Sequence, residues 1–199
     1  MEKIIFLLAL CNPFFAYAAG NSEAGQQKST VCAACHGPTG ISLNPEWPSL
    51  AGQHASYLVK QLNDFKENHG RSSPAMTPMA VNLSEQDRLD IAAFYSGMPL
   101  PNGKTPKKYV SRGEQLYRGG DFEKHITACI ACHGPKGDGN GQAGFPALSG
   151  QQVAYTIQQL EAFKDKKRNN DLNSIMQDIS ARMNHEDMMA VANYVAGLH

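Results

Sequence analysis

Apolar positions along this chain recur at helical spacing, and no stretch alternates long enough to make a strand. Leu58, Gln61, Leu62 and Phe65 fall on one helix, and Ile157, Gln158, Leu160 and Phe163 repeat that pattern further on. Ser84-Glu85-Gln86-Asp87 has the form of an N-terminal capping box and is followed by Leu89, Ile91, Ala92, Phe94 and Tyr95. Asn184-His185-Glu186-Asp187 repeats it ahead of Met188, Val191, Ala192, Tyr194 and Val195. The pattern predicts two copies of three or four short helices joined by glycine- and proline-rich loops.

The start of the chain has a different pattern. Met1-Glu2-Lys3 leads into the apolar run Ile4 to Leu10, too short to span a bilayer, and Ala16-Tyr17-Ala18 fits a small-residue cleavage site. Residues 1–18 are expected to be an export signal, with the mature chain beginning near Ala19. Cys11 lies inside this leader behind Leu10, where a lipoprotein signal carries Gly or Ala. It is read as a discarded leader residue rather than a lipid anchor.

The remainder is a duplication. Cys32-Ala33-Ala34-Cys35-His36 and Cys129-Ile130-Ala131-Cys132-His133 are each followed by Gly-Pro, and Pro48-Ser49-Leu50-Ala51-Gly52-Gln53 matches Pro146-Ala147-Leu148-Ser149-Gly150-Gln151. Tyr57, Phe65 and Lys66 match Tyr155, Phe163 and Lys164, while Met76, Asp87 and Gly97 match Met176, Asp187 and Gly197. The second copy carries extra residues before its cysteines, placed at Gly119 to His125. Residues 99–106 are rich in proline and lack periodicity, as a linker would. The expected organisation is a leader at 1–18, a first domain at 19–98, the linker at 99–106 and a second domain at 107–199.

Composition narrows the function. The 199 residues are 42% hydrophobic and 18% charged, which excludes a disordered or multi-span membrane chain. Lys plus Arg and Asp plus Glu are equal at 18 each, so no net field steers the chain toward nucleic acid. Lys164, Lys166, Lys167 and Arg168 form one local basic cluster, either a docking patch or simply a solvated helix end. Gly137-Asp138-Gly139-Asn140-Gly141 lacks the strand and lysine of a phosphate loop and reads as a turn.

The cysteines carry the chemistry. Two thiols three residues apart with a histidine directly after the second form the attachment signature of c-type haem, and this chain has it twice. The thiols add to the two porphyrin vinyl groups, and the adjacent imidazole falls beneath the iron. Cys32, Cys35, Cys129 and Cys132 are therefore the expected thioether residues and His36 and His133 the proximal ligands. Zinc is the main rival, but each motif would need a fourth ligand, and the other histidines do not repeat between copies. Haem also resolves a size problem: a copy of this length with few aromatics buries too little apolar surface by itself.

The opposite face of each iron decides between electron transfer and chemistry on a bound molecule. Among the mature methionines only Met76 and Met176 occupy matching positions, in a loop just before a capped helix; Met79 is the leading substitute in the first copy and His69 a distant one. Pro48 and Pro146 are candidates to offer the carbonyl that orients each proximal imidazole, the alternative being that they only shape the loop around a core aromatic, Trp47 or Phe145.

With two Cys-x-x-Cys-His-Gly motifs, the Pro-x-Leu-x-Gly-Gln segments, the paired methionines and the ending Tyr194-Val195-Ala196-Gly197-Leu198-His199, the mature chain resembles the cytochrome c4 family over nearly its whole length. The resemblance implies an all-α fold of two tandem cytochrome c-like domains, each built around one covalent haem c. It also implies His/Met ligation by His36, Met76, His133 and Met176. The implied function is a periplasmic di-haem electron carrier, not an enzyme, passing electrons from a quinol-oxidising complex or dehydrogenase to a terminal oxidase, with possible peripheral membrane association. The near-neutral charge of both copies departs from a carrier with a dominant docking face. The alternatives are the haem subunit of a larger oxidoreductase, such as a flavin-dependent sulfide dehydrogenase, and a haem peroxidase.

Overall fold

The computed structural model describes residues 20–199, so the expected leader and Cys11 lie outside the described residues. The first half comprises α1 (Ser22–Lys28), α2 (Thr30–His36), α3 (Ala55–Glu67), α4 (Met76–Val81) and α5 (Glu85–Ser96). The second comprises α6 (Lys107–Glu114), extended by a π-helical turn at Gln115–Gly119, then α7 (Ile130–His133), α8 (Val153–Lys164), a short 3-10 turn, α9 (Ile175–Ala181) and α10 (His185–Ala196). Among the described residues the pairings of strand type are two isolated bridges, Asp121 with Ile126 and Asn140 with Phe145. The all-α expectation is met. Each half has five helices rather than three or four, because α1, α4, α6 and α9 are too short for periodicity to reveal.

Local chemistry explains the long helices. Ser84 Oγ accepts the Asp87 N–H at 3.1 Å while the Asp87 carboxylate accepts the Ser84 N–H at 2.9 Å. Asn184 and Asp187 make the same exchange at 2.8 and 3.2 Å, so both capping boxes form. Burial opposes ionisation of Asp187, yet Lys124 and Arg112 together hold its carboxyl below the usual range.

In each half the first helix crosses the last, α1 on α5 and α6 on α10. Gly25 and Gly113 sit at these crossings: a Cβ on Gly25 would strike the Asp90 carbonyl, and one on Gly113 would lie 2.5 Å from Tyr194 Cβ. Ion pairs brace the same crossings. Lys28 binds Asp87 at 2.7 Å and Asp90 at 2.6 Å, while Arg112 binds Asp187 and Asp121. The extra segment of the second copy folds into a tight turn closed by the Asp121–Ile126 bridge, with Ile126 buried and Phe122 exposed.

The two halves meet across a pseudo-twofold interface made by the repeated segments. Gln53 of the first half bonds both backbone groups of Ala147, and Gln151 of the second bonds both backbone groups of Ser49, each at 2.9 Å. His54 Nε2 meets the Asp138 carbonyl at 2.7 Å, and Gln152, one position after Gln151 as His54 is after Gln53, donates to the Ser42 carbonyl at 2.6 Å.

Candidate functional site

The first cysteine-histidine motif lies within α2 and the second runs from Cys129, the N-cap of α7, to the end of that helix, and the sequence dictates how each helix ends. Gly37 and Gly134 directly follow the histidines as the C-caps, with φ of +79° and +77°, a conformation that glycine adopts without strain and that ends each helix there. His36 and His133 are thereby left at the helix ends, 5% and 7% exposed, with their rings turned inward.

Each ring is oriented by the same partner. His36 Nδ1 lies 2.8 Å from the Pro48 carbonyl, and His133 Nδ1 lies 2.9 Å from the Pro146 carbonyl. A carbonyl only accepts, so both Nδ1 atoms carry the proton and Nε2 is the nitrogen left for a metal. Burial lowers the affinity of both imidazoles for a second proton, only partly offset by these carbonyls, and so favours the neutral form that ligates. The two prolines thus present the carbonyls anticipated for them. The aromatics before them differ: the Phe145 ring lies 6.3 Å from that of His133, whereas Trp47 is partly exposed and not a core residue.

The four cysteines are free thiols. Cys32 packs against the first core, around Leu58, Ile91, Ala92 and Tyr95, and Cys129 against the larger second core. Burial pushes the Cys32 thiol up and the Cys129 thiol up to about 11, unlike a thiolate nucleophile or redox dithiol. Among the described residues no group of three or more His, Cys, Asp and Glu is placed to hold a metal, which leaves the zinc alternative without a ligand set. Two thiols with one Nδ1-anchored imidazole, against an apolar cluster, form a donor set that fits covalent haem.

Met76 begins α4, which packs on α3, and Met176 lies in the first turn of α9, which packs on α8. The expectation of a loop is corrected here: both methionines sit in short helices, whose six or seven residues are held by tertiary packing rather than by propensity. Both side chains are half-buried, and Met176 packs against the same cluster as Cys129. Met79 is 40% exposed and His69 is exposed, so neither shares that environment.

Sequence reasoning missed the role of two arginines between the halves. Arg71 Nη2 donates to Tyr155 Oη at 2.7 Å, and Arg168 Nη2 donates to Tyr57 Oη at 2.8 Å, each arginine reaching into the other half. Each guanidinium also stacks on its own phenylalanine, Phe65 or Phe163, at 4.6 and 4.4 Å. Burial opposes ionisation of Tyr57, but Arg168 and Arg71 more than offset it and hold its hydroxyl below the usual range. Arg168 is therefore an interface residue and not part of a surface cluster; Lys164 is tied to the Met183 carbonyl at 2.6 Å. The clue available was an arginine a short way behind each matched phenylalanine, Arg71 six residues after Phe65 and Arg168 five after Phe163.

Comparison with known proteins places these features among relatives. The cytochrome c family profile matches residues 22–98 and again residues 110–199. Cytochrome c4 of Azotobacter vinelandii is 42% identical over 98% of both chains. The crystal structure of reduced recombinant cytochrome c4 from Pseudomonas stutzeri superposes with a TM-score of 0.88 at 44% identity, covering 91% of this chain and all of that one. A thiosulfate dehydrogenase electron acceptor of Stutzerimonas stutzeri is 38% identical over 84% of this chain and 79% of that protein.

Proposed function

The chain belongs to the cytochrome c4 family and is a di-haem c electron carrier; from that premise we propose which residues hold the haems and what the carrier connects. Cys32 and Cys35 would hold the first haem and Cys129 and Cys132 the second, with His36 and Met76 as the iron ligands of one and His133 and Met176 as those of the other. The bound haems supply reversible one-electron chemistry. The protein's part is to keep each imidazole neutral and fixed by its proline carbonyl, to close the opposite side with a soft thioether, and to surround both with apolar side chains. Arg71 and Arg168, buried against uncharged oxygens, offer positive charge of the sign that haem carboxylates need.

The observation that carries the reading is the repeated histidine-to-proline-carbonyl bond in both halves, at 2.8 and 2.9 Å. Two equivalent, doubly ligated sites suit relay of electrons rather than catalysis at an open iron. We read the protein as exported to the periplasm through cleavage of residues 1–18. There it would take electrons from a quinol-oxidising complex or a dehydrogenase and deliver them to a terminal oxidase. The likeness to a thiosulfate dehydrogenase electron acceptor favours a dehydrogenase among the donors. Among the described residues no helix is long and apolar enough to cross a membrane; the membrane association we propose is peripheral.

The test is a visible and near-infrared spectrum of the mature holoprotein, oxidised, reduced, and reduced under carbon monoxide. Two haems per chain, a ferric methionine-to-iron band and no carbon monoxide shift are expected. Met76→Ala and Met176→Ala should each open one iron to carbon monoxide. Carbon monoxide binding by the unmutated protein would overturn the carrier reading in favour of an enzyme, and an unchanged ligand spectrum in either variant would remove that methionine.

A further inference from the structure

The hydrogen bonds around each proximal histidine do not end within its own half. The peptide group joining Pro48 to Ser49 accepts the His36 Nδ1–H at its carbonyl, 2.8 Å away, and donates its N–H to Gln151 Oε1 of the other half at 2.9 Å. The peptide joining Pro146 to Ala147 does the same, taking the His133 Nδ1–H at 2.9 Å and giving its N–H to Gln53 Oε1 at 2.9 Å. Each glutamine is locked in this orientation. Its Nε2 donates to the next carbonyl, Ser49 or Ala147, and its Oε1 also accepts the N–H of its own neighbour, Gln152 or His54.

We propose that Gln151 and Gln53 are positioning residues that act across the interface, each setting the redox potential of the haem site in the opposite half through the peptide that orients its proximal histidine. The proposal rests on His36 and His133 being axial ligands. Hydrogen bonds in series polarise one another. An acceptor on the Ser49 N–H makes the Pro48 carbonyl a stronger acceptor, strengthens the His36 Nδ1–H bond and makes Nε2 more basic. A more basic ligand favours the oxidised metal and lowers the potential. Removing the glutamine therefore raises the potential of the site in the other half and leaves the site in its own half alone. The two halves are coupled in this way even though their cores are separate.

The experiment is a redox titration of the holoprotein in which the two sites are resolved, on the unmutated chain and on Gln151→Met and Gln53→Met. Gln151→Met should raise the first-half potential, changing the oxidised-to-reduced ratio at fixed potential about two- to threefold, which is about 20–30 mV at 59 mV per decade. Gln53→Met should do the same to the second half. The His36 or His133 Nδ1 proton resonance of the reduced protein should move upfield in step, as a weakened hydrogen bond requires. Ser56→Ala removes the interface bond to the Gly141 carbonyl without touching either peptide, and should move neither potential. Equal shifts at both sites, a shift confined to the mutated half, or no shift would each overturn the proposal. If Gln151→Met fails to fold, Gln151→Asn, too short to reach Ser49, carries the same expectation. Failure of the ligand assignment itself would show separately, as an unmutated protein without two low-spin titration steps.

Discussion

Replacing Gly25 or Gly113 by alanine sets two physical effects against each other. Alanine favours a helix over glycine by about 1 kcal/mol, so propensity alone predicts that both variants stabilise the protein. The helix crossings predict the reverse. A Cβ on Gly113 would stand 2.5 Å from Tyr194 Cβ and 2.6 Å from the Ala190 oxygen, where ordinary contact begins near 3.4 Å. Helix α6 would have to retreat from α10 by nearly 1 Å, a gap that forfeits about a quarter to a half of each dispersion contact across the crossing. Overpacking of this kind costs about 1–3 kcal/mol. Net of propensity, Gly113→Ala should destabilise by about 1 kcal/mol. Gly25→Ala should be worse, by about 2 kcal/mol or more, because its Cβ strikes the Asp90 carbonyl and the same retreat pulls on the Lys28–Asp90 pair. For a chain of this size each kcal/mol lowers Tm by about 2–4 °C. Thermal unfolding of the holoproteins, followed by far-ultraviolet circular dichroism and haem absorbance, measures it directly. A rise in Tm for Gly25→Ala would show that propensity governs these crossings, and the packing argument would be wrong.

Further outcomes follow from the same geometry. Lys28 is the largest of the influences that lower the Asp90 carboxyl, to about 2 against an unfolded value near 3.9, so the stability from this group is present above about pH 4 and is lost as pH falls toward 2. Lys28→Met should flatten the fall in Tm across that window, and an unchanged slope would show that the pair does not contribute. Arg168→Met strands Asn170 Oδ1 and takes one of two arginine partners from Tyr57 Oη in the interface, and should cost about 1–3 kcal/mol in chemical denaturation. Paired with Tyr57→Phe in a double-mutant cycle it should show coupling of about 0.5–3 kcal/mol, whereas additivity would mean that the two groups act independently. The haem-free chain, with a first core of only four buried apolar residues, should be largely unfolded; a cooperative helical melt of apo-protein would contradict this.

Much of the fold and nearly all of the proposed haem-binding set could be read from the residues in order. Periodicity located α3, α5, α8 and α10, and the capping boxes at Ser84 and Asn184 marked where two of them start. Those signals are local, acting between residues three or four apart. The cysteine-histidine motifs are local as well, since the reach of two thiols and one imidazole is set by a single helical turn. Duplication added what periodicity lacked, because a methionine present in both copies stands out from one that fills a core. The short helices were invisible for the opposite reason: α4 and α9 exist because α3 and α8 pack against them.

What only the tertiary structure decided is the relation between the halves. Lysine-rich neighbours made Arg168 look like a surface charge, but folding carries it 2.8 Å from Tyr57, 111 residues away. Gln53 and Gln151 were visible as repeated letters with no role, and each acquires one only when the pseudo-twofold sets it against a peptide of the other copy. A sequence shows what the duplicated units share. It does not record how they face each other, because that arrangement depends on backbone groups of Ser49 and Ala147 that every residue carries alike and that only the folded chain places in register.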